Sequence, residues 1–560
     1  MSGAVPAVAG SPPAAPPPAA PAGLPPAGPI PWWGLAAVLL GTFISTLNGR
    51  LSTFGLGDIR GAVGAGFDEG AWITTAQTVA QMLILPFAIW IGGVFGARRV
   101  LIEAALAYAF ITLLEGFSSN LGMLLVLQFA GGIASGFFIP LTLSFILRAT
   151  PPRLWAYGIA LYALNLELSL NISASLEGWY VDHLSWRWIF WQNVPLALGM
   201  TACFKWGTRP DPKPAVIPKS DRFGLATSGV GMALIYAALD QGNRLDWLNS
   251  GLICGLLIAG VILVAVFLLH ERTTAMPFIN LKVAFGRPLP RLLLLVAFLR
   301  LTILSTAFLI PQYLGQVRGF RALEVGQTLI WIAAPQLIVC PLAALSLRRS
   351  DPRLVSSVGF ILIAIACLIV AHGLTPVWSS DQFLVSQLLQ AVGQSFALSG
   401  IIFFGILHLK PQDALTFGAA IQTARLMGGQ IGTAFIATLV RVRSQTASNH
   451  IGQHVTIGDP AVLQRLGAYA AATGRSVDPV TAAGRGATVL GQVVRSAAAT
   501  QGVIDGFVVI GGLTALALAL VVAHKPAPIG PASHLPLFSG LFPPRPAPEP
   551  PAAPSGTAAP

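Results

Sequence analysis

From residue 32 to residue 523 the chain alternates long apolar runs with short polar breaks. An apolar run of about 20 residues is long enough, as a helix, to cross a hydrocarbon core. The pattern predicts fourteen spans. Six fall at approximately 32–56, 71–94, 99–118, 121–147, 155–178 and 187–206. Two more follow at 223–240 and 250–269, and six close the series at 291–314, 325–347, 354–373, 382–407, 415–440 and 503–523. The expected fold is an all-α polytopic membrane protein arranged 6 + 2 + 6. Its parts are an amino-terminal bundle (32–206), linkers with two extra helices (207–285) and a carboxy-terminal bundle (286–525).

Composition supports the reading. The 560 residues are 54% hydrophobic and only 10% charged, where a soluble chain carries about a quarter charged. The ends, 1–31 and 526–560, are rich in proline and alanine and read as disordered termini. The first of them lacks the basic-then-apolar order of a signal peptide.

The net charge of +12 is scattered between the apolar runs, so membrane topology accounts for it and a nucleic-acid partner does not. With the amino terminus inside, seventeen basic residues fall in short inside loops. Five (Arg60, Arg187, Arg244, Arg318, Arg321) fall in short outside loops. That asymmetry predicts both termini in the cytoplasm. A long basic loop, 441–502, then lies outside. It holds His450 and His454 one turn apart, but no nearby cysteine or carboxylate completes a metal set. The four cysteines sit far apart inside apolar runs, as small apolar residues do. There is no P-loop and no enzyme motif, so no cofactor and no catalytic residue is expected.

Several stretches carry a resemblance. They are Trp72-Ile73-Thr74, the run ending Ile139-Pro140-Leu141, SWRWIF (185–190) with Asn193-Val194-Pro195, DQGNRLDW (240–247), PQYLGQVRGF (311–320) and TARLMGGQIGTAF (423–435). Their order and spacing resemble the fourteen-span drug:proton antiporters of the major facilitator superfamily, of the EmrB/QacA type. The resemblance implies two six-helix bundles rocking about a central site in a bacterial inner membrane, with the extra pair inserted between them. It also implies export of amphipathic small molecules across the lipid bilayer by proton antiport. A periplasmic adaptor (EmrA-like) and an outer-membrane channel are the partners it suggests.

The departures from the family pattern are informative. Asn48 stands where the first span normally carries an acid, with Arg50 two residues on. Gln128 takes the place of the fourth span's arginine. The gating loop after span two keeps only Gly96, Arg98 and Arg99, and the fifth span's glycine motif has become Ser173-Ala174-Ser175-Leu176-Glu177-Gly178. An acid and an arginine are both replaced by neutral amides, which keep hydrogen-bonding capacity but carry no titratable proton.

Three ionisable residues fall well inside spans: Glu167, Arg300 and Arg425. Such charges tend to face a cavity or a partner. Glu167 shares a helical stripe with Asn171 and Ser175. A carboxyl shielded from water is a candidate proton carrier, so Glu167 either inherits the proton displaced from position 48 or pairs structurally with Arg50 or Arg300. Glu177 is expected near the outer interface and hydrated, as a second coupling candidate. Arg50 lies inside the membrane or at its surface according to where span one ends. Asn165 and Asn171 read as cavity residues or as interhelical hydrogen-bond links, and so do Gln387, Gln390 and Gln394 on one face of span twelve. Two further readings stand beside proton antiport. One is an uncoupled or differently coupled carrier of an anionic metabolite, drawn by Arg300. The other is a transporter-like sensor or anchor protein acting through 441–502.

Overall fold

The computed structural model describes residues 32–149, 155–208, 221–274, 289–407, 414–456, 458–473 and 478–524. All regular structure among them is helical. The expected disordered termini, the linker residues 209–220 and 275–288, and much of the inside-loop charge lie outside the described residues.

The amino-terminal half contains α1 (Trp32–Phe54), α2 (Trp72–Phe95), α3 (Ala97–Glu115), α4 (Leu121–Gly136, resuming as Phe138–Ala149), α5 (Trp155–His183) and α6 (Asn193–Gly207). The extra pair is α7 (Arg222–Gly242) and α8 (Gly251–Thr273). The carboxy-terminal half begins with α9, which runs Leu289–Thr302, widens into a π turn at Ser305–Leu309 and continues as Ile310–Gln316. It goes on through α10 (Ala322–Arg349), α11 (Pro352–Gly373), α12 (Leu384–Leu407), α13 (Ala414–Gln453), α14 (Pro460–Thr473) and α15 (Pro479–Val522).

Several boundaries follow from local chemistry. Asn120 accepts from the Met123 amide at 2.9 Å and starts α4. Asp221 does the same for Gly224 at 2.9 Å and starts α7, and Asp351 precedes Pro352 at the head of α11. Each supplies a side-chain oxygen to a first-turn N–H that has no partner in the helix. Gly96, at φ 84°, makes the tight corner between α2 and α3, a conformation that costs a side-chain-bearing residue dearly.

Among the described residues, eleven helices are long and apolar enough to cross a membrane. The remaining three expected spans, 99–118, 187–206 and 415–440, coincide with α3, α6 and α13. Within the first half α1 packs on α5 and α6, α2 on α4, and α3 on α6. Within the second, α10 and α11 pack on α12, and α9, α11 and α13 on α15. The halves meet chiefly where α5 runs against α10 and where the second part of α4 meets α13. Helix α7 lies against both α2 and α13, and α8, the most apolar and least covered span, packs on α7.

The segment 441–502 differs from the loop expected of it. Helix α13 continues to Gln453, α14 packs on α15, and α15 has 44 residues. At 1.5 Å per residue α15 is roughly 66 Å long, about twice the hydrocarbon thickness, so α13 and α15 must project beyond the membrane. Alanine-rich sequence favours helix strongly. The projecting helices are held together by an Arg443–Asp505 ion pair and by close approach at Gly502, whose added Cβ would meet the Val440 carbonyl at 2.8 Å. Asp478 caps α15 through the Thr481 hydroxyl and amide, and these bonds hold its carboxyl below the ordinary range. The rings of His450 and His454 stack there, 5.5 Å apart.

Candidate functional site: a buried charge cluster between the halves

Glu167 on α5 is fully buried. Its Oε2 accepts from Gln336 Nε2 on α10 at 3.0 Å and from Ser395 Oγ on α12 at 3.1 Å. The Gln336 side-chain oxygen in turn accepts from Asn171 at 3.3 Å. A carboxylate of the first half is thus held by two donors of the second. Its other oxygen, Oε1, has no partner among the described residues. Among the described residues neither Arg50 nor Arg300 forms an ion pair with it.

Arg300 stands on α9, with Arg50 of α1 bonded to that helix and Arg425 of α13 in electrostatic reach of Arg300. Helix α1 runs to Phe54, which places Arg50 inside; its Nη2 donates to the Ala307 carbonyl in the π turn at 2.9 Å, and its guanidinium lies 5.1 Å from the Phe54 ring centroid. Arg300 lies against Gly429 of α13, so near that an added Cβ would meet its Nε at 3.6 Å. Arg425, one turn before Gly429, donates to Gln422 at 2.9 Å. Arg300 interacts electrostatically with both other arginines, and also with Tyr236 and Glu167. Gly428 permits this approach, because a Cβ there would lie 2.6 Å from the Ala297 backbone.

The neutral amides sit deep in the first half. Asn48 accepts from Asn193 at 2.8 Å, tying α1 to α6. Gln128 is fully buried with no partner for either polar atom, and Gln77 on α2 is in the same state. Asn165 ties α5 to α1 through the Leu39 carbonyl and, at 2.6 Å, Thr42. In the second half Gln390 and Gln394 donate to Ser305 and Thr306 of the π turn at 3.0 and 2.9 Å. Two of the three glutamines therefore link α12 to α9, while Gln387 is buried without a partner. At the corner between α2 and α3, Arg98 Nε donates to Thr208 at 2.7 Å, joining α3 to the end of α6, whereas Arg99 pairs with Glu103 at the surface.

One expectation needs correction. Glu177 is buried, not hydrated, because α5 continues to His183 beyond it; its carboxylate packs against Gly55, whose added Cβ would sit 3.0 Å from Oε1. Among the described residues it forms no ion pair with Arg50, whose guanidinium reaches α9.

Two acids escaped the sequence reading. Glu115 ends α3 buried beside Gly131, with one oxygen unpartnered among the described residues. Asp240, inside DQGNRLDW, accepts from Thr75 of α2, from Gln241 at 3.3 Å and from Gln430 of α13 at 2.9 Å. The motif was visible, but its contact with both halves is a tertiary fact.

A family model described as the Major Facilitator Superfamily matches residues 38–433. The chain belongs to the major facilitator superfamily. It is a multi-pass membrane transporter of that superfamily, not an enzyme. Among its relatives, the multidrug export protein EmrB of Haemophilus influenzae is 23% identical over 425 residues, 76% of this chain and 83% of that protein. The probable multidrug resistance protein EmrY of Escherichia coli K12 is 26% identical over 414 residues, 73% and 80% of the two chains. The solved structure of the proton:xylose symporter XylE matches with a TM-score of 0.54 at 10% identity, covering 89% of this chain and 96% of that one. That last likeness is one of fold alone.

Proposed function

We propose that this chain exports amphipathic small molecules across a bacterial inner membrane by alternating access, in exchange for protons carried on Glu167. The names of the EmrB-type relatives support export, and the basic-residue asymmetry supports cytoplasmic termini. The gating loop at Gly96 then faces the cytoplasm, with α14 outside. That projection is also the surface on which a periplasmic adaptor leading to an outer-membrane channel would dock.

One observation carries the coupling: Glu167 belongs to one half and both of its donors to the other. Oε1, the oxygen without a partner, is free to take a proton. Protonation turns two charge-assisted hydrogen bonds into neutral ones of roughly half the strength. The tie between the halves loosens as the proton binds, which is what an antiporter requires. Asn48, bonded to Asn193, and Gln128, whose polar atoms have no partner among the described residues, form no part of this tie. Glu177 remains a second carrier candidate by its burial.

Proteoliposomes with an imposed pH gradient test the assignment. Glu167→Gln is expected to retain substrate binding but lose gradient-driven efflux and the accompanying proton flux. Undiminished gradient-driven efflux in that variant sinks it.

A further inference from the structure

Three guanidinium groups, those of Arg50, Arg300 and Arg425, converge on α9 in the membrane interior, and none is in an ion pair among the described residues. Among the described residues Arg50 and Arg425 each donate one hydrogen bond to a neutral oxygen, and Arg300 donates none. Arg300 interacts electrostatically with the other two, with Tyr236 and with Glu167. Glu167 directs its bonded oxygen to Gln336 and Ser395. The other acid of this region, Asp240, is occupied by Thr75, Gln241 and Gln430. The cluster therefore holds more positive than negative charge in a low-dielectric setting, where an uncompensated charge is costly.

We infer that the missing countercharge is the cargo: the central site takes the oxyanion head of an amphipathic organic anion, gripped by Arg300 and Arg425 with Arg50 at its α9 end. A guanidinium presents a planar fork of donors that matches carboxylate and phosphate oxygens. On the α13 side it is Gly429, which has no side chain, that lies against the Arg300 guanidinium, an added Cβ standing 3.6 Å from Nε. The surroundings suit an apolar body: Phe54 under Arg50, Leu301 and Leu304 against Gly432, and the ring of Tyr162, whose hydroxyl has no partner. The inference rests on the export reading above and narrows it to a class of substrate. Carboxylates and phosphate monoesters share the required chemistry.

The test compares headgroups on one tail. Equilibrium binding of octanoate, octyl phosphate, octanol and octyltrimethylammonium is measured by intrinsic tryptophan fluorescence with the full chain in lipid nanodiscs. The two anions are expected to bind at least about tenfold tighter than octanol, and the cation not to saturate. Arg300→Gln is expected to weaken the anions roughly 30-fold and leave octanol unchanged, with Arg300→Lys recovering part of the loss. Equal affinity for all four probes in the unaltered chain, or anion affinity indifferent to Arg300→Gln, overturns the inference. The two readings fail separately. Headgroup selectivity that persists while Glu167→Gln still exports under a gradient removes proton coupling only. Gradient-driven export of octanol or the cation, with no preference for the anions, removes the anion site only.

Discussion

At the scale of single residues, the polar atoms inside the membrane divide into those with partners and those without. Asp240 has three, and they come from α2, α7 and α13. Asp240→Asn replaces one acceptor oxygen with a donor that must face either Thr75 and Gln241 or Gln430. Mispairing of a buried donor costs about 1–3 kcal/mol, and thermal unfolding of the purified variant should show that loss, with Asp246→Asn at the exposed end of the same motif as a near-neutral control. Residue types were legible in the sequence: Glu167, Arg300 and Arg425 stand out because charges in apolar runs are rare. Their partners were not legible. Gln336 and Ser395 are 169 and 228 residues from Glu167, and nothing local in their own spans points to an acid. Glu177 is buried against the expectation of hydration because burial at a span end depends on how far the neighbouring helices extend, and Glu115, at the end of α3, is buried likewise.

At the scale of helices, the apolar periodicity placed a helix at every expected span, because the bilayer leaves few alternatives to a backbone that must satisfy its own hydrogen bonds. What it missed was the length of α13 and α15, since their extensions are alanine-rich and polar and look like loop. Helix pairing in the membrane depends on small residues that let backbones approach. Gly132 of α4 is one such point, where an added Cβ would fall 2.2 Å from the Gln77 carbonyl oxygen of α2. Gly132→Ala should therefore destabilise the protein by about 1–3 kcal/mol through forced separation. Gly57→Ala, in the helix Leu56–Val63 with nothing within 4 Å of its added Cβ, should be neutral or slightly stabilising in the same thermal assay.

At the scale of the whole molecule, the two halves touch along α5 and α10 from end to end. Arg321 meets Asp182 at 3.4 Å near one end, and Arg348 donates to Tyr157 at 2.6 Å near the other. Between them Gly326 lies so close to α5 that an added Cβ would be 2.6 Å from the Ser175 amide. Alternating access must part these helices at one end at a time. Gly326→Leu should wedge the Arg321 end open. A cysteine introduced at Leu323, beside Gly178, should then react with an impermeant maleimide several times faster than in the parent chain; an unchanged labelling rate would exclude this contact as the outer closure. Two-half architecture was readable from the order of motifs, but which helices meet was decided by packing that a linear pattern does not encode.

The π turn of α9 gives this architecture one further property. A π turn carries one residue more than the α-helix around it, and each helical residue advances about 100° around the axis. The sequence on either side of Ser305–Leu309 is therefore read on two wheels out of phase by that angle. Arg300 lies on one wheel and Tyr313 on the other, so their sides of the helix are set independently. Removing a single codon between them would restore a regular helix and swing every residue on one side of the break to a new face. Conversely, if the extra residue moves along α9 during transport, each position it passes turns by one step while the ends stay in place. A screw of this kind rotates a binding face without translating the helix that bears it.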